Sequence, residues 1–97
     1  MKIIRVEDPM MDVSEFTENI PKHKAVVMVY MMENCPHCLH LKPKWETVKH
    51  ILKEDPKFND VMMADIDSGA SSLLPLPPVM GFPNIKVLKD DKLVEYN

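Results

Sequence analysis

Cys35 and Cys38 are the only thiols in a chain of 97 residues, and they enclose Pro36 and His37 in the run Cys-Pro-His-Cys. Two cysteines at this spacing suit reversible disulfide chemistry, in which one thiolate attacks a partner and the second thiol resolves the mixed disulfide. The thiolate is the nucleophile, so the pair needs a setting that favours ionisation of one sulfur. A helix N-terminus provides that setting through its unpaired N–H groups and the positive end of its macrodipole. The flanking sequence supplies such a terminus. Ala25 to Tyr30 is apolar and largely β-branched, and a helix-period segment begins at Pro36, so the pair falls at a strand-to-helix junction with Cys35 in the first helical turn.

His37 lies between the thiols and is placed to donate a hydrogen bond or positive charge to the Cys35 thiolate. That would stabilise the reduced form and make the disulfide more oxidising. A helix terminus contributes only about 0.3–1 kcal/mol, whereas about 30 mV of reduction potential corresponds to about 1.4 kcal/mol for a two-electron couple. The terminus alone therefore does not make a strong oxidant, and His37 is ranked as the tuning residue. Pro36 suits a first helical turn, where no N–H is needed. A Cys-x-x-Cys pair is also half of a zinc site, but the other two ligands would have to come from His37, His40 or distant groups, so neither metal nor organic cofactor is expected. The nine methionines read mostly as core filler, with Met31 and Met32 bordering the active-site turn.

The elements that hold the pair follow from periodicity. Lys2 to Glu7 reads as a first strand, closed by Asp8-Pro9. Asp12 and Glu15 have capping-box spacing, and Val13, Phe16 and Ile20 recur at helical intervals until Pro21. Residues 25 to 31 are apolar on both parities, the pattern of a central strand covered on both faces. From Pro36 to about Glu54, a helix places Cys38, Leu41, Trp45, Val48 and Leu52 on its buried stripe and Lys42, Lys44, Glu46, Lys49 and Lys53 elsewhere, with Pro43 expected to kink it. Cys35 is off that stripe and is expected to be the exposed sulfur. Val61 to Asp67 reads as a third strand, Ser68 to Leu74 as one or two helical turns, and Pro75, Pro77 and Pro78 as an extended connector. Asn84 to Leu88 and Leu93 to Tyr96 form a terminal hairpin around Lys89-Asp90-Asp91-Lys92.

Composition sets the bounds. With 45% apolar and 28% charged residues, residues 1–97 make one small domain with a single modest core. The net charge of −3 and scattered lysines exclude a nucleic-acid or anionic-membrane surface. No apolar run has the length of a transmembrane segment or the pattern of a secretory signal, so the expected location is the cytoplasm. Two cysteines in a reducing compartment are kept for chemistry rather than for stapling the fold.

With a strand, the Cys pair, a proline-containing helix, a strand and a hairpin in this order, the chain resembles the thioredoxin fold, and within it the domain of protein disulfide isomerase type. The specific matches are Leu41, Pro43, Trp45 and Glu46 after the cysteines, Val61 with Ala64, Ile66 and Asp67, and Gly81-Phe82-Pro83-Asn84-Ile85-Lys86. The resemblance implies an α/β fold, a mixed β-sheet flanked by helices. It also implies that Pro83 is a cis-proline beside the cysteines and that the backbone of Phe82 pairs with an extended substrate strand. The Pro-His pair is similar to that of the strongly oxidising bacterial periplasmic thiol oxidase, and differs from the Gly-Pro of thioredoxins and the Gly-His of isomerases.

Three departures stand out. Val29 occupies the position of the family's buried acid, which accepts the proton of the second cysteine. Asn34, preceded by Glu33, replaces the aromatic residue before the first cysteine, so Asn34 joins Phe82 and Pro83 as a substrate-contact candidate. The family's C-terminal helix, which covers one sheet face, has no counterpart before Asn97. An open face there implies marginal stability, a partner, self-association or a chain shortened relative to its natural length, and the last is favoured.

The resulting expectation is a thiol–disulfide oxidoreductase of isomerase or oxidase type, exchanging disulfides with protein cysteines through Cys35 and Cys38. Two other classes compete. One is a low-turnover client-binding module that holds partners as mixed disulfides, as loss of the acid would allow. The other is a metal- or cluster-bridged dimer of glutaredoxin type.

Overall fold

The computed structural model describes residues 1–96. Five strands form one mixed sheet in the order β1-β3-β2-β4-β5: β1 (Lys2–Val6), β2 (Ala25–Met31), β3 (Val61–Asp67), β4 (Asn84–Lys89) and β5 (Lys92–Tyr96). β3 pairs in parallel with β1 and β2, while β2–β4 and β4–β5 are antiparallel. The doubly apolar strand is thus the central one, and the chain takes the thioredoxin-like topology. Helices α1 (Asp12–Asn19), α2 (Pro36–Lys53) and α3 (Ser68–Ser71) complete it. No helix follows β5 among the described residues. Nor is any helix of those residues long and apolar enough to cross a membrane.

Strand alternation divides the interior into two unequal cores. Beneath α1 and α3, Phe16, Ala70 and Leu74 pack on Ile4, Val6, Val26, Met28, Tyr30, Met62, Ala64 and Ile66. Beneath α2 the buried cluster is Val29, Trp45 and Met63, bordered by half-buried Leu41 and Leu52.

Several local expectations are corrected. Asp12 is the first residue of α1 rather than its cap. Its carboxylate instead accepts the N–H groups of Glu7 (3.0 Å) and Asp8 (2.7 Å), tying the helix back to the end of β1. α1 stops at Asn19, and Ile20, expected as its last apolar residue, instead opens a short 3₁₀ turn, Ile20–Lys22, that contains Pro21. α3, by contrast, has one of the one or two turns expected: Asp67 caps it through the N–H of Gly69 (2.9 Å), and its last carbonyls are taken by Leu73 and Leu74. Along α2 the buried residues are Cys38, Trp45 and Lys49, whereas Val48 is 41% exposed. A lysine therefore occupies the inner stripe in place of a valine, because the strand below offers it a carboxylate.

The proline connector is anchored from the sheet. Lys86, 4% exposed, directs its ammonium to the carbonyl of Pro77 (3.3 Å) and lies 5.8 Å from the centre of the Tyr30 ring. This ties the segment that leads into Phe82 and Pro83 to β4.

Candidate active site

β2 ends at Met31, and the chain turns through Glu33 and Asn34 into α2. Asn34 has a φ of 60°, which an asparagine tolerates better than most residues. Cys35 is the N-cap of α2, with extended backbone, and Pro36 follows as the first helical residue. The sulfur of Cys35 is itself the cap: the N–H of Cys38 donates to Cys35 Sγ at 3.3 Å. A thiolate accepts such bonds better than a thiol, so capping and ionisation favour one another.

Both cysteines are free thiols. Their environments differ in the direction the chemistry needs. The Cys35 pKa is lowered by a hydrogen bond from the Cys38 side chain, against the effect of desolvation, with further help from the backbone N–H groups of Cys38 and His37. Burial pushes the Cys38 thiol up, and its hydrogen bond and charge interaction with Cys35 raise it further. The pair therefore separates into a nucleophile-prone and a proton-retaining sulfur.

One expectation about exposure is overturned. Cys35 is 5% exposed and Cys38 4%, so neither sulfur lies open. The cover on Cys35 comes from the opposite side of the site, where its S–H donates to the carbonyl of Phe82 at 3.7 Å. Phe82 is half-buried, its ring packed on the larger core, and the Phe82–Pro83 peptide bond is cis. The site thus brings together Cys35, Pro36, His37 and Cys38 on the first turn of α2 with Phe82 and Pro83 from the connector. Asn34 borders them, exposed, and His37 is exposed with its backbone N–H turned toward Cys35.

A cavity of about 490 Å³ opens on the inner side of the pair, lined by Cys38, Asn34, Met31, Trp45 and Asp65 among others. Trp45 Nε1 donates to Asp65 Oδ1, and Lys49 Nζ lies 2.6 Å from Asp65 Oδ2 and 2.8 Å from a Glu46 oxygen. Sequence reasoning missed Asp65 and Lys49. The available signal was Lys49 one turn beyond Trp45, on the same helix face, above a strand whose residues 63, 65 and 67 share one side. Among the described residues no three metal-ligating side chains converge.

Comparison with known proteins agrees with this geometry. The family model described as Thioredoxin matches residues 9–97. The chain is 32% identical over 84 residues to protein disulfide-isomerase of Zea mays, covering 82% of this chain and 16% of that protein. It is 30% identical to human protein disulfide-isomerase A4, covering 86% of this chain and 13% of the relative. The chain therefore spans about a sixth or less of these relatives. Its fold superimposes on the first thioredoxin domain of mouse protein disulfide-isomerase A4 with a TM-score of 0.69 at 23% identity, covering 96% of this chain and 62% of that one. Yeast mitochondrial thioredoxin 3 gives 0.67 at 18% identity, covering 95% and 78%. A Cys-x-x-Cys pair capping the helix after the central strand, a cis-proline facing it and a matching family model across most of the length converge on one conclusion: the chain belongs to the thioredoxin family, as a domain related to those of protein disulfide isomerases.

Proposed function

We propose that this domain is a thiol–disulfide oxidoreductase acting on protein cysteines, with Cys35 as the nucleophile and Cys38 as the resolving thiol. The observation that carries the reading is the Cys38 N–H donated to Cys35 Sγ at 3.3 Å, which ties thiolate formation to helix capping. In the reductive direction Cys35 attacks a substrate disulfide, one substrate sulfur leaves as a thiol, and Cys38 displaces the other to close the Cys35–Cys38 bond. In the oxidative direction a substrate thiolate attacks Cys35 Sγ and the steps reverse. Pro36 preorganises the first helical turn and His37 tunes the thiolate. Phe82, Pro83 and Asn34 border the approach to Cys35, where an extended client strand pairs with the Phe82 backbone. The relatives named protein disulfide isomerases support protein clients as the substrate class.

A second reading, a client-binding module with little turnover, is favoured by one observation: Val29 is fully buried and apolar where the isomerase pattern has an acid. Multiple-turnover reduction of a protein disulfide, with a glutathione couple as electron source, separates the two. Sustained turnover that Cys35→Ser abolishes supports the oxidoreductase. A single stoichiometric mixed disulfide without turnover supports the binding module instead.

A further inference from the structure

Val29 and Asp65 are register partners in the parallel pairing of β2 with β3, so their side chains leave the sheet side by side on the α2 face. Val29 is sealed into the small core with Trp45 and Met63. Asp65 is one step outward, its side chain 21% exposed, and it lines the same cavity as Cys38. Its two oxygens are held separately, Oδ1 by the Trp45 indole N–H and Oδ2 by the Lys49 ammonium. A carboxylate has about four acceptor sites, so each oxygen keeps one for the cavity. The shared cavity, about 490 Å³ with a largely apolar lining to which Asp65, Asn34 and Glu46 add polar groups, has room for several waters.

We propose that Asp65 is the proton acceptor for the Cys38 thiol, acting through water in the shared cavity from β3, at the strand next to the position where the acid is missing. This rests on thiol–disulfide exchange through Cys35 and Cys38. With substrate held on Cys35 as a mixed disulfide, the Cys38 S–H proton passes through water to the Asp65 carboxylate. The Cys38 thiolate then attacks Cys35 Sγ. The Cys35–Cys38 bond forms as the Cys35–substrate bond breaks, and the substrate sulfur leaves with the electron pair and is protonated by Asp65 or solvent. Two protein thiols are oxidised to one disulfide, and one substrate disulfide is reduced to two thiols.

From α2, Lys49 meets an Asp65 oxygen and is shared with Glu46, and Lys42 lines the cavity; Arg5 of β1 and Glu7 just beyond it line it too, with Glu33 and Asp67. Only Lys49 touches Asp65 as a charge. Burial and the Cys35 sulfur hold the Cys38 proton on, so an acceptor matters most for this sulfur.

Reaction of the reduced protein with an excess of an aromatic disulfide reads the steps apart, because each coloured thiol released marks one attack. The first release reports Cys35 and the second Cys38. Asp65→Asn should slow the second release by about tenfold at neutral pH, a modest share of what general base catalysis supplies. The first release should be unchanged, and the deficit should shrink at alkaline pH as Cys38 ionises unaided. Asp65→Glu, which keeps a carboxylate, should recover most of the rate. A second release that is equally fast in Asp65→Asn across the pH range overturns the assignment of Asp65 and leaves the oxidoreductase intact. Absence of a second release in the unaltered protein overturns both. Should Asp65→Asn fail to fold, Asp65→Ser takes its place: a second release slowed at neutral pH with the first unchanged supports the acceptor, and an unslowed second release overturns it.

Discussion

Lys49 Nζ sits 2.6 Å from Asp65 Oδ2 beneath the C-terminal half of α2, with the lysine only 6% exposed. The same ammonium reaches Glu46 at 2.8 Å and lies 5.8 Å from the centre of the Trp45 ring. Removing one member of a buried pair leaves the other charge without its partner. Lys49→Met should therefore destabilise the domain by about 2 kcal/mol, below the usual range for buried pairs because Asp65 keeps the Trp45 N–H and some solvent. Urea unfolding followed by Trp45 fluorescence measures it, and an unchanged midpoint would refute the pair as a structural tie.

The same pair sets an alkaline limit. Burial pushes the Lys49 ammonium down, but the Asp65 and Glu46 carboxylates together outweigh it, so its pKa ends above the ordinary value of 10.5. A folded-state pKa raised above the unfolded one gives stability that is complete below the unfolded value and lost as pH climbs through the folded one. The ion-pair contribution should then hold through neutral pH and fade only above about 10.5. Unfolding midpoints of the unaltered protein and Lys49→Met should converge there, and parallel curves through that window would contradict the linkage.

At the acid end Asp12 acts with the opposite sign. Hydrogen bonds from the backbone N–H groups of Asp8 and Glu7 hold its carboxyl below the ordinary 3.8. Its contribution is present above the unfolded pKa and is lost as pH falls through the lower folded value. Asp12→Asn should cost stability at neutral pH and progressively less as the medium is acidified below about pH 4. Thermal melts across that range test it; a difference that widens with acidity would be inconsistent with the bond pattern.

His37 offers a test that separates backbone from side chain. Its N–H helps to lower the Cys35 pKa. His37→Pro removes both the N–H and the imidazole and should lower the reduction potential by about 30 mV or more, since one bond to a charged sulfur is worth about 1.5 kcal/mol. His37→Ala keeps the N–H, so its potential reports the imidazole alone. Equilibration with glutathione mixtures and thiol trapping gives both values. An unchanged potential in the proline variant removes His37 from the tuning of the pair.

The frame of the site was legible because its signals are local. The apolar run before Cys35 marked β2 at its observed limits, Ala25–Met31, and the same type of run marked β3 at Val61–Asp67. The Gly-Phe-Pro segment announced the cis bond before Pro83 through resemblance. What escaped depends on pairs distant in sequence. Lys49 is 16 residues from Asp65, so helical periodicity assigned it to solvent. Cys35 looked exposed because its cover is a carbonyl 47 residues away. Asp12 looked like a cap because nothing in its spacing showed the N–H groups of Glu7 and Asp8 turning back toward it.

The inequality of the two cores has a bearing on motion. Eleven buried residues hold α1 and α3 to the sheet, but only Val29, Trp45 and Met63 form the buried cluster under α2 among the described residues. Val48 and Ile51 are 41% and 60% exposed, so beyond Trp45 that helix is held chiefly by the Lys49–Asp65 pair and half-buried Leu52. Subglobal opening starts where little apolar surface is buried. Amide exchange should therefore run faster along the C-terminal half of α2 than in β2 or β3. The thiols ride at the other end of this helix, so fraying of its far end would leave the sulfur cap in place: the element that carries the reaction is free to breathe without releasing Cys35.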